Sequence, residues 1–188
     1  MEFLGELWIP IVASAVLIFV VSSIVHMCLP IHCNDHAKLP DEDGLMAAMR
    51  GQGLPSGSYM FPRSEDMKDM CSPEMRERQT QGPSGYLTVM PPGPPAIGKS
   101  LVHWFLYTLV VGVFVAYLSN LALRGTVETL RVFQFTGAAA FMAYGVASVV
   151  DSIWKGQSWG TSFKFVFDGL LYSLSTAACF AGLWPAVI

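Results

Sequence analysis

The sequence contains few charged residues. Asp, Glu, Lys and Arg make up 13% of its 188 residues, against about 25% in an average globular protein, and 53% of the residues are hydrophobic. This composition excludes an ordinary soluble domain. The formal net charge of −3 includes no run of basic residues, so binding to nucleic acid is not expected.

Other features are also missing. The four cysteines, at positions 28, 33, 71 and 179, are not spaced as a disulfide framework. No Ser/His/Asp or Cys/His arrangement supports catalysis, and the sequence identifies no cofactor. Residues 1–8 contain no basic residue and no cleavage site follows, so residues 9–29 are predicted to form an uncleaved membrane span rather than a signal peptide.

Long uncharged runs dominate what remains. Residues 101–121 contain no Asp, Glu, Lys or Arg, and a helix of that length crosses a hydrocarbon core of about 30 Å. Similar runs cover residues 132–150 and 165–183. The sequence therefore predicts an all-α polytopic membrane protein with four transmembrane helices. Its regions are an N-terminal span (1–30), a small, partly ordered polar insert (31–100) and a three-helix region (101–188).

The insert contains signals for short elements. Helices are predicted at residues 41–50, 64–70 and 72–79, the last capped by Ser72 with Pro73 at its first position. Residues 59–61 and 86–90 are predicted as short strands between turns. A segment of this size buries little core of its own.

Basic residues near the span ends predict the orientation. Lys38, Arg50, Lys99, Lys155 and Lys164 lie on the insert side, whereas Arg124 and Arg131 lie on the other. Because basic residues concentrate on the cytoplasmic side, the insert is predicted to be cytoplasmic and both termini outside, in the cell inner membrane.

Small residues recur every four positions in the last two spans. Ala139, Ala143 and Ala147 form one ridge, with Gly137 and Gly145 nearby. A second ridge consists of Gly169, Ser173, Ala177 and Ala181. Such ridges allow close approach of helices in lipid, so an antiparallel hairpin is predicted.

Asp168 is a costly residue for a membrane span. Lys164 precedes it by one helical turn, so an ion pair between the two is predicted to anchor the helix at the interface. A proton relay is the alternative. His103 has a similar place near the start of its span and is interpreted as interfacial or packed.

Residues 93–100 read GPPAIGKS, which matches the phosphate-loop pattern G-x-x-x-x-G-K-[ST]. Pro94 and Pro95 remove two backbone donors, and a membrane span follows directly. No nucleotide partner is therefore expected. Lys99 is interpreted as a cytoplasmic anchor and Ser100 as the helix N-cap.

Histidine and cysteine residues are concentrated at the end of the first span. These residue types bind zinc and copper. The break at Pro30 and the lack of a Cys-x-x-Cys pair favour interfacial polar residues over a metal site, and both interpretations stay open. The candidate ligands are His26, Cys28, His32, Cys33 and His36.

The chain resembles a family of small four-span bacterial integral membrane proteins with no assigned activity. The resemblance rests on HMCLPIH (26–32), KLPDED (38–43), YMFP (59–62), SPEM (72–75), GPPAIGKSLVHWFLYTLVVGVFVAYL (93–118), DSIWKG (151–156) and FDGLLY (167–172). It implies four spans and a bacterial source and brings no catalytic residues. It also implies that Cys33 and His36 lie outside the shared pattern.

Three functions follow as hypotheses. The first is a structural or accessory subunit of a membrane assembly, whose partners are the lipid bilayer and other membrane subunits or itself. The absence of polar relays within the spans and the Met- and Pro-rich insert favour it. The second is a small transporter or metal-handling protein, and the third is an enzyme acting on a lipid or quinone.

Overall fold

Four long apolar helices dominate the computed structural model, which describes residues 2–123, 125 and 128–185. Their bounds are Phe3–Cys28, Ile97–Leu123, Thr129–Lys155 and Trp159–Gly182, and each is long and apolar enough to cross a membrane. The predicted all-α fold with four transmembrane helices is confirmed, and the chain is a multi-pass membrane protein. The chain divides into two compact units.

The first unit contains the four long helices, two of which are irregular. Helix α1 (Phe3–Ser23) continues as a π-helical turn (Ile24–Cys28) and a 3-10 turn (Pro30–His32), and helix α5 spans Ile97–Leu123. Helix α6 (Thr129–Tyr144) continues through a 3-10 turn (Val146–Val149) into α7 (Val150–Lys155), and α8 spans Trp159–Gly182.

Two helix boundaries differ from the sequence prediction. Ser100 is not the N-cap of α5, because the helix begins at Ile97 and the Ser100 amide bonds the Ala96 carbonyl. The segment between the apolar runs 132–150 and 165–183 is largely helical. Ser158 caps α8 by accepting from the Thr161 amide at 3.1 Å, which begins that helix earlier than its apolar run.

Helices α6 and α8 pack in antiparallel order through small residues. A Cβ built on Gly137 lies 3.2 Å from the Cβ of Ala177, and one built on Gly169 would overlap the backbone of Gly145. The step from Gly137 to Gly145 runs eight residues forward, and the step between their partners, from Ala177 to Gly169, runs eight residues back. The two helices are therefore antiparallel. The predicted hairpin pairing is confirmed.

The ridge on α6 differs from the predicted one. Ala147 is exposed, and Ala139 and Ala143 are only partly buried. The buried positions are Val132, Thr136, Ala140 and Tyr144. Because glycine has no side chain, Gly137 and Gly145 set the closest approach to α8 instead of the alanines. The α8 ridge is buried at Gly169, Ser173 and Ala177, as predicted.

An aromatic cluster, defined here as Trp104, Tyr107, Tyr144 and Tyr172, joins the helices at one end of the bundle. Its ring centroids lie 5.6 to 6.4 Å apart in five pairs. The indole of Trp104 also donates a 2.9 Å hydrogen bond to Ser22 on α1. All four spans therefore meet at this level.

The second unit consists of His36–Pro95 with Trp154–Gly156. It contains α2 (Glu42–Gly51), α3 (Met67–Met70) and α4 (Pro73–Gln81), capped respectively by Asp41, Asp66 and Ser72. Strands β1 (Gly57–Phe61) and β2 (Gly85–Val89) form an antiparallel pair. The three short helices and two strands predicted in the insert are confirmed.

Orientation in the membrane stays a prediction. Of the basic residues that define it, Arg124 lies outside the described residues.

Substitution of Gly169 by alanine is expected to lower the free energy of unfolding in detergent by about 1–3 kcal/mol, because the new methyl group must separate α8 from Gly145. Gly182→Ala is the matched control, since a Cβ at Gly182 has no neighbour within 4 Å. Thermal unfolding of the two variants measures the difference. Equal melting temperatures would show that α6 and α8 do not approach through their glycines.

Candidate metal centre

The end of α1 is built so that two histidines meet. The amide of Leu29 bonds the carbonyl of Ile24, an i→i+5 bond that closes the π-helical turn. Leu29 is extended, and Pro30 then opens a new 3-10 turn. The rings of His26 and His32 consequently stack, with centroids 4.4 Å apart and planes inclined by 30°. Single π-turns of this kind occur frequently at functional sites.

A carboxylate on α8 faces the two histidines. Nε2 of His32 lies 2.9 Å from Oδ2 of Asp168, and Nε2 of His26 lies 3.6 Å from the same oxygen. One donor atom from each of the three residues falls within 4.8 Å of the others. The Asp168 side chain is 2% exposed, whereas that of His26 is 40% exposed.

Several of these buried atoms have no hydrogen bond. Among the described residues, neither carboxylate oxygen of Asp168 nor Nε2 of His32 has a hydrogen-bond partner. The 2.9 Å separation of Nε2 and Oδ2 is an ion-pair distance, but no well-formed hydrogen bond joins the two atoms. Buried polar atoms are nearly always satisfied, so this set requires an explanation.

A second layer of polar groups holds His32. Its Nδ1 lies 2.6 Å from Oδ2 of Asp35, and Nζ of Lys164 donates to Oδ1 of Asp35 at 2.6 Å. The hydrogen bond from Lys164, together with His32, outweighs burial and holds the pKa of Asp35 below its ordinary value. Asp35 is therefore a carboxylate, and it favours the His32 tautomer with the proton on Nδ1.

Aromatic rings border the centre. Phe165 lies 5.2 Å from the His32 ring, measured between centroids. The hydroxyl of Tyr172 lies 3.3 Å from Nε2 of His26, and its ring belongs to the aromatic cluster. The centre thus lies against the bundle interior, with His26 as its exposed member.

The structure brings together only part of the candidate metal-ligand set. His26 and His32 converge, but Cys28 and Cys33 are exposed free thiols. His36 is exposed and belongs to the second unit. His103, the other histidine considered, is exposed on α5.

The predicted ion pair between Lys164 and Asp168 is wrong. Lys164 bonds Asp35, 129 positions earlier in the chain, and Asp168 faces the two histidines. Sequence reasoning missed Asp35 and the role of Asp168, because no local spacing connects α8 with the turn after α1. The one available signal was the cost of placing a carboxylate within a span.

Two chemical arrangements suit these atoms. Two neutral imidazoles and one carboxylate form a ligand set for a divalent transition metal. Alternatively, a protonated His32 would bridge Asp35 and Asp168 as an ion-pair lock. In the second arrangement Nε2 of His32 would donate to Asp168, and the two atoms lie at an ion-pair distance without a well-formed hydrogen bond. Nε2 of His32 and the Asp168 oxygens are therefore available as metal ligands.

No protein family, curated protein or solved structure matches this chain.

A double-mutant cycle is expected to show that Asp35 and Lys164 act together. Lys164→Met alone leaves a poorly solvated carboxylate, whereas Lys164→Met combined with Asp35→Asn removes both charges. The double variant should therefore lose less stability than the sum of the single variants, by about 0.5–3 kcal/mol. Thermal unfolding in detergent gives the coupling, and additive losses would contradict the pairing.

Proposed function

We propose that this multi-pass membrane protein binds one divalent transition-metal ion through His26, His32 and Asp168. The supporting observation is a group of three donor atoms that lie close together, of which Nε2 of His32 and the oxygens of Asp168 are buried without a hydrogen bond. Atoms that point at a common ion approach closely in this way, because their lone pairs converge on the ion instead of on each other's protons.

Two of the three donor separations fit a single ion. Zinc–ligand distances are about 2.0–2.2 Å, so two tetrahedral ligands lie about 3.3 Å apart. The two distances from Asp168 Oδ2 to the histidine nitrogens, 2.9 and 3.6 Å, bracket that value. A mixed nitrogen and oxygen ligand set suits zinc, and with further positions filled also iron(II).

The second layer suits the same chemistry. Metal-binding histidines usually donate their other ring N–H to a carboxylate, which fixes the tautomer and orients the ring. Asp35 occupies this place beside His32, and Lys164 holds Asp35. The proposal is the metal-handling hypothesis with Asp168 replacing the two cysteines and His36. An accessory role in a membrane assembly, with protein partners, stays a prediction.

Purified, chelator-treated protein in detergent is expected to bind Co²⁺, a spectroscopic substitute for Zn²⁺, at one ion per chain. His32→Ala and Asp168→Asn should abolish saturable binding, because each removes a ligand. Asp35→Asn should weaken binding by about 10–100-fold, as expected for a residue that orients a ligand. Visible absorption and competition with Zn²⁺ measure these affinities.

The matched controls are Cys28→Ser, Cys33→Ser and His36→Ala, which change the sequence candidates outside the centre. All three should bind Co²⁺ as the unmodified protein does. Absence of saturable binding in the unmodified protein would contradict the proposal and leave the ion-pair lock. Equal losses in the controls would place the metal elsewhere.

We further propose that the insert is cytoplasmic, which would place the metal centre at the cytoplasmic end of the bundle. Cys71 is exposed, so a variant retaining Cys71 as its one cysteine should react with a membrane-impermeant thiol reagent only after cells are opened. Glu128→Cys in a cysteine-free background is the control, because Glu128 follows α5 on the opposite side and should react in intact cells. Reversed labelling would invert the topology.

A further inference from the structure

We propose that the metal centre has an open coordination position that takes a small anion or water, beside the hydroxyl of Tyr172. This inference rests on the metal site proposed above and goes beyond it, because a closed site would only stabilise the fold. Structural zinc sites have four protein ligands, whereas sites that exchange a ligand have three and bind an external molecule in the fourth place.

The side chains that meet at the centre provide three protein ligands for a metal ion. Among the described residues, the clustered His, Cys, Asp and Glu donors are His26, His32 and Asp168. Asp35 is occupied by His32 and Lys164, and the cysteines nearest in sequence are exposed and outside the group. A metal with these ligands therefore has at least one position for a molecule from outside the chain.

The position is accessible. His32 and Asp168 have side chains 13% and 2% exposed, but the His26 side chain is 40% exposed. All three donors come from two places in the fold, the end of α1 and one face of α8. The exposed side of His26 is therefore the side from which a small molecule would approach the centre.

Charge determines the class of ligand. A divalent ion with Asp168 and two neutral histidines carries a net charge of +1, and Asp35 and Lys164 cancel each other. An anion in the open position brings the whole cluster to zero. In a low-dielectric surrounding a neutral cluster is favoured over a charged one, so a small anion is preferred.

The hydroxyl of Tyr172 is placed to donate a hydrogen bond to an anion in the open position. Its hydroxyl lies 3.3 Å from Nε2 of His26, and its residue is only 4% exposed, with its ring held between Trp104 and Tyr144. Once the lone pair of Nε2 binds a metal, this O–H loses that acceptor. A buried donor without an acceptor is unfavourable, and an anion on the metal replaces the lost partner.

The test is an azide titration of the Co²⁺-loaded protein in detergent, followed by visible absorption. The unmodified protein should show a saturable and reversible change in the cobalt bands. Tyr172→Phe should bind Co²⁺ with unchanged stoichiometry but bind azide at least about tenfold more weakly, the effect of losing one hydrogen bond to a charged group.

Tyr144→Phe is the matched control, because it removes another buried hydroxyl of the same aromatic cluster and should leave azide affinity unchanged. Cobalt bands that azide does not alter would overturn the open position while the metal site stands. Azide binding equal in Tyr172→Phe and Tyr144→Phe would overturn the role of Tyr172. Absence of cobalt bands in the unmodified protein would overturn both the metal site and this inference.

Discussion

The burial of one carboxylate governs the arrangement of the polar groups in this bundle. Asp168 lies ten residues into α8 with its side chain 2% exposed, and an acid at the centre of a membrane helix is unfavourable by about 2.5–3.5 kcal/mol on insertion scales. His26 and His32, at the end of α1, place two imidazole rings beside this buried carboxylate. One of these is fixed in turn by Asp35, whose charge is balanced by Lys164 from α8 itself. The end of α1 and helix α8 are therefore joined by polar contacts at two places, at Asp168 with the two histidines and at Asp35 with Lys164.

The contacts of the two histidines with Asp168 depend on an irregular backbone after α1. In a regular α-helix, His26 and His32 would lie about 120° apart around the axis, because each residue adds about 100°. The π-helical turn and the extended Leu29 cancel this difference and bring the rings to 4.4 Å. Pro30 has no amide hydrogen to continue the helix, and it begins a new turn instead. In the sequence, Pro30 interrupts the histidine and cysteine cluster. In the structure, the turn that begins at Pro30 brings His32 against His26.

Much of the fold was predictable from the sequence, since hydropathy over some twenty residues and local capping signals are sufficient to identify spans and short helices. Ser72 and Pro73 begin α4 for reasons that lie within four residues. Only half of the candidate metal centre was predictable from the sequence, because His26 and His32 are close in sequence but Asp168 is far from both. Pairing between residues more than a hundred positions apart depends on which helix faces pack, and periodicity alone left that choice open. Lys164 illustrates the limit, since its local partner by spacing was Asp168 and its actual partner is Asp35.

Packing between α6 and α8 fixes where Asp168 points. Gly169 follows Asp168 directly, and its contact with the backbone of Tyr144 and Gly145 leaves no room for a side chain at position 169. A shift of α8 by one residue would move Asp168 by about 1.5 Å and turn it by about 100°, away from the histidines. Because the glycine contact permits one register, the small-residue ridge positions the carboxylate as well as holding the two helices together. Loosening of this packing would displace the carboxylate, so the candidate metal centre depends on the register between α6 and α8.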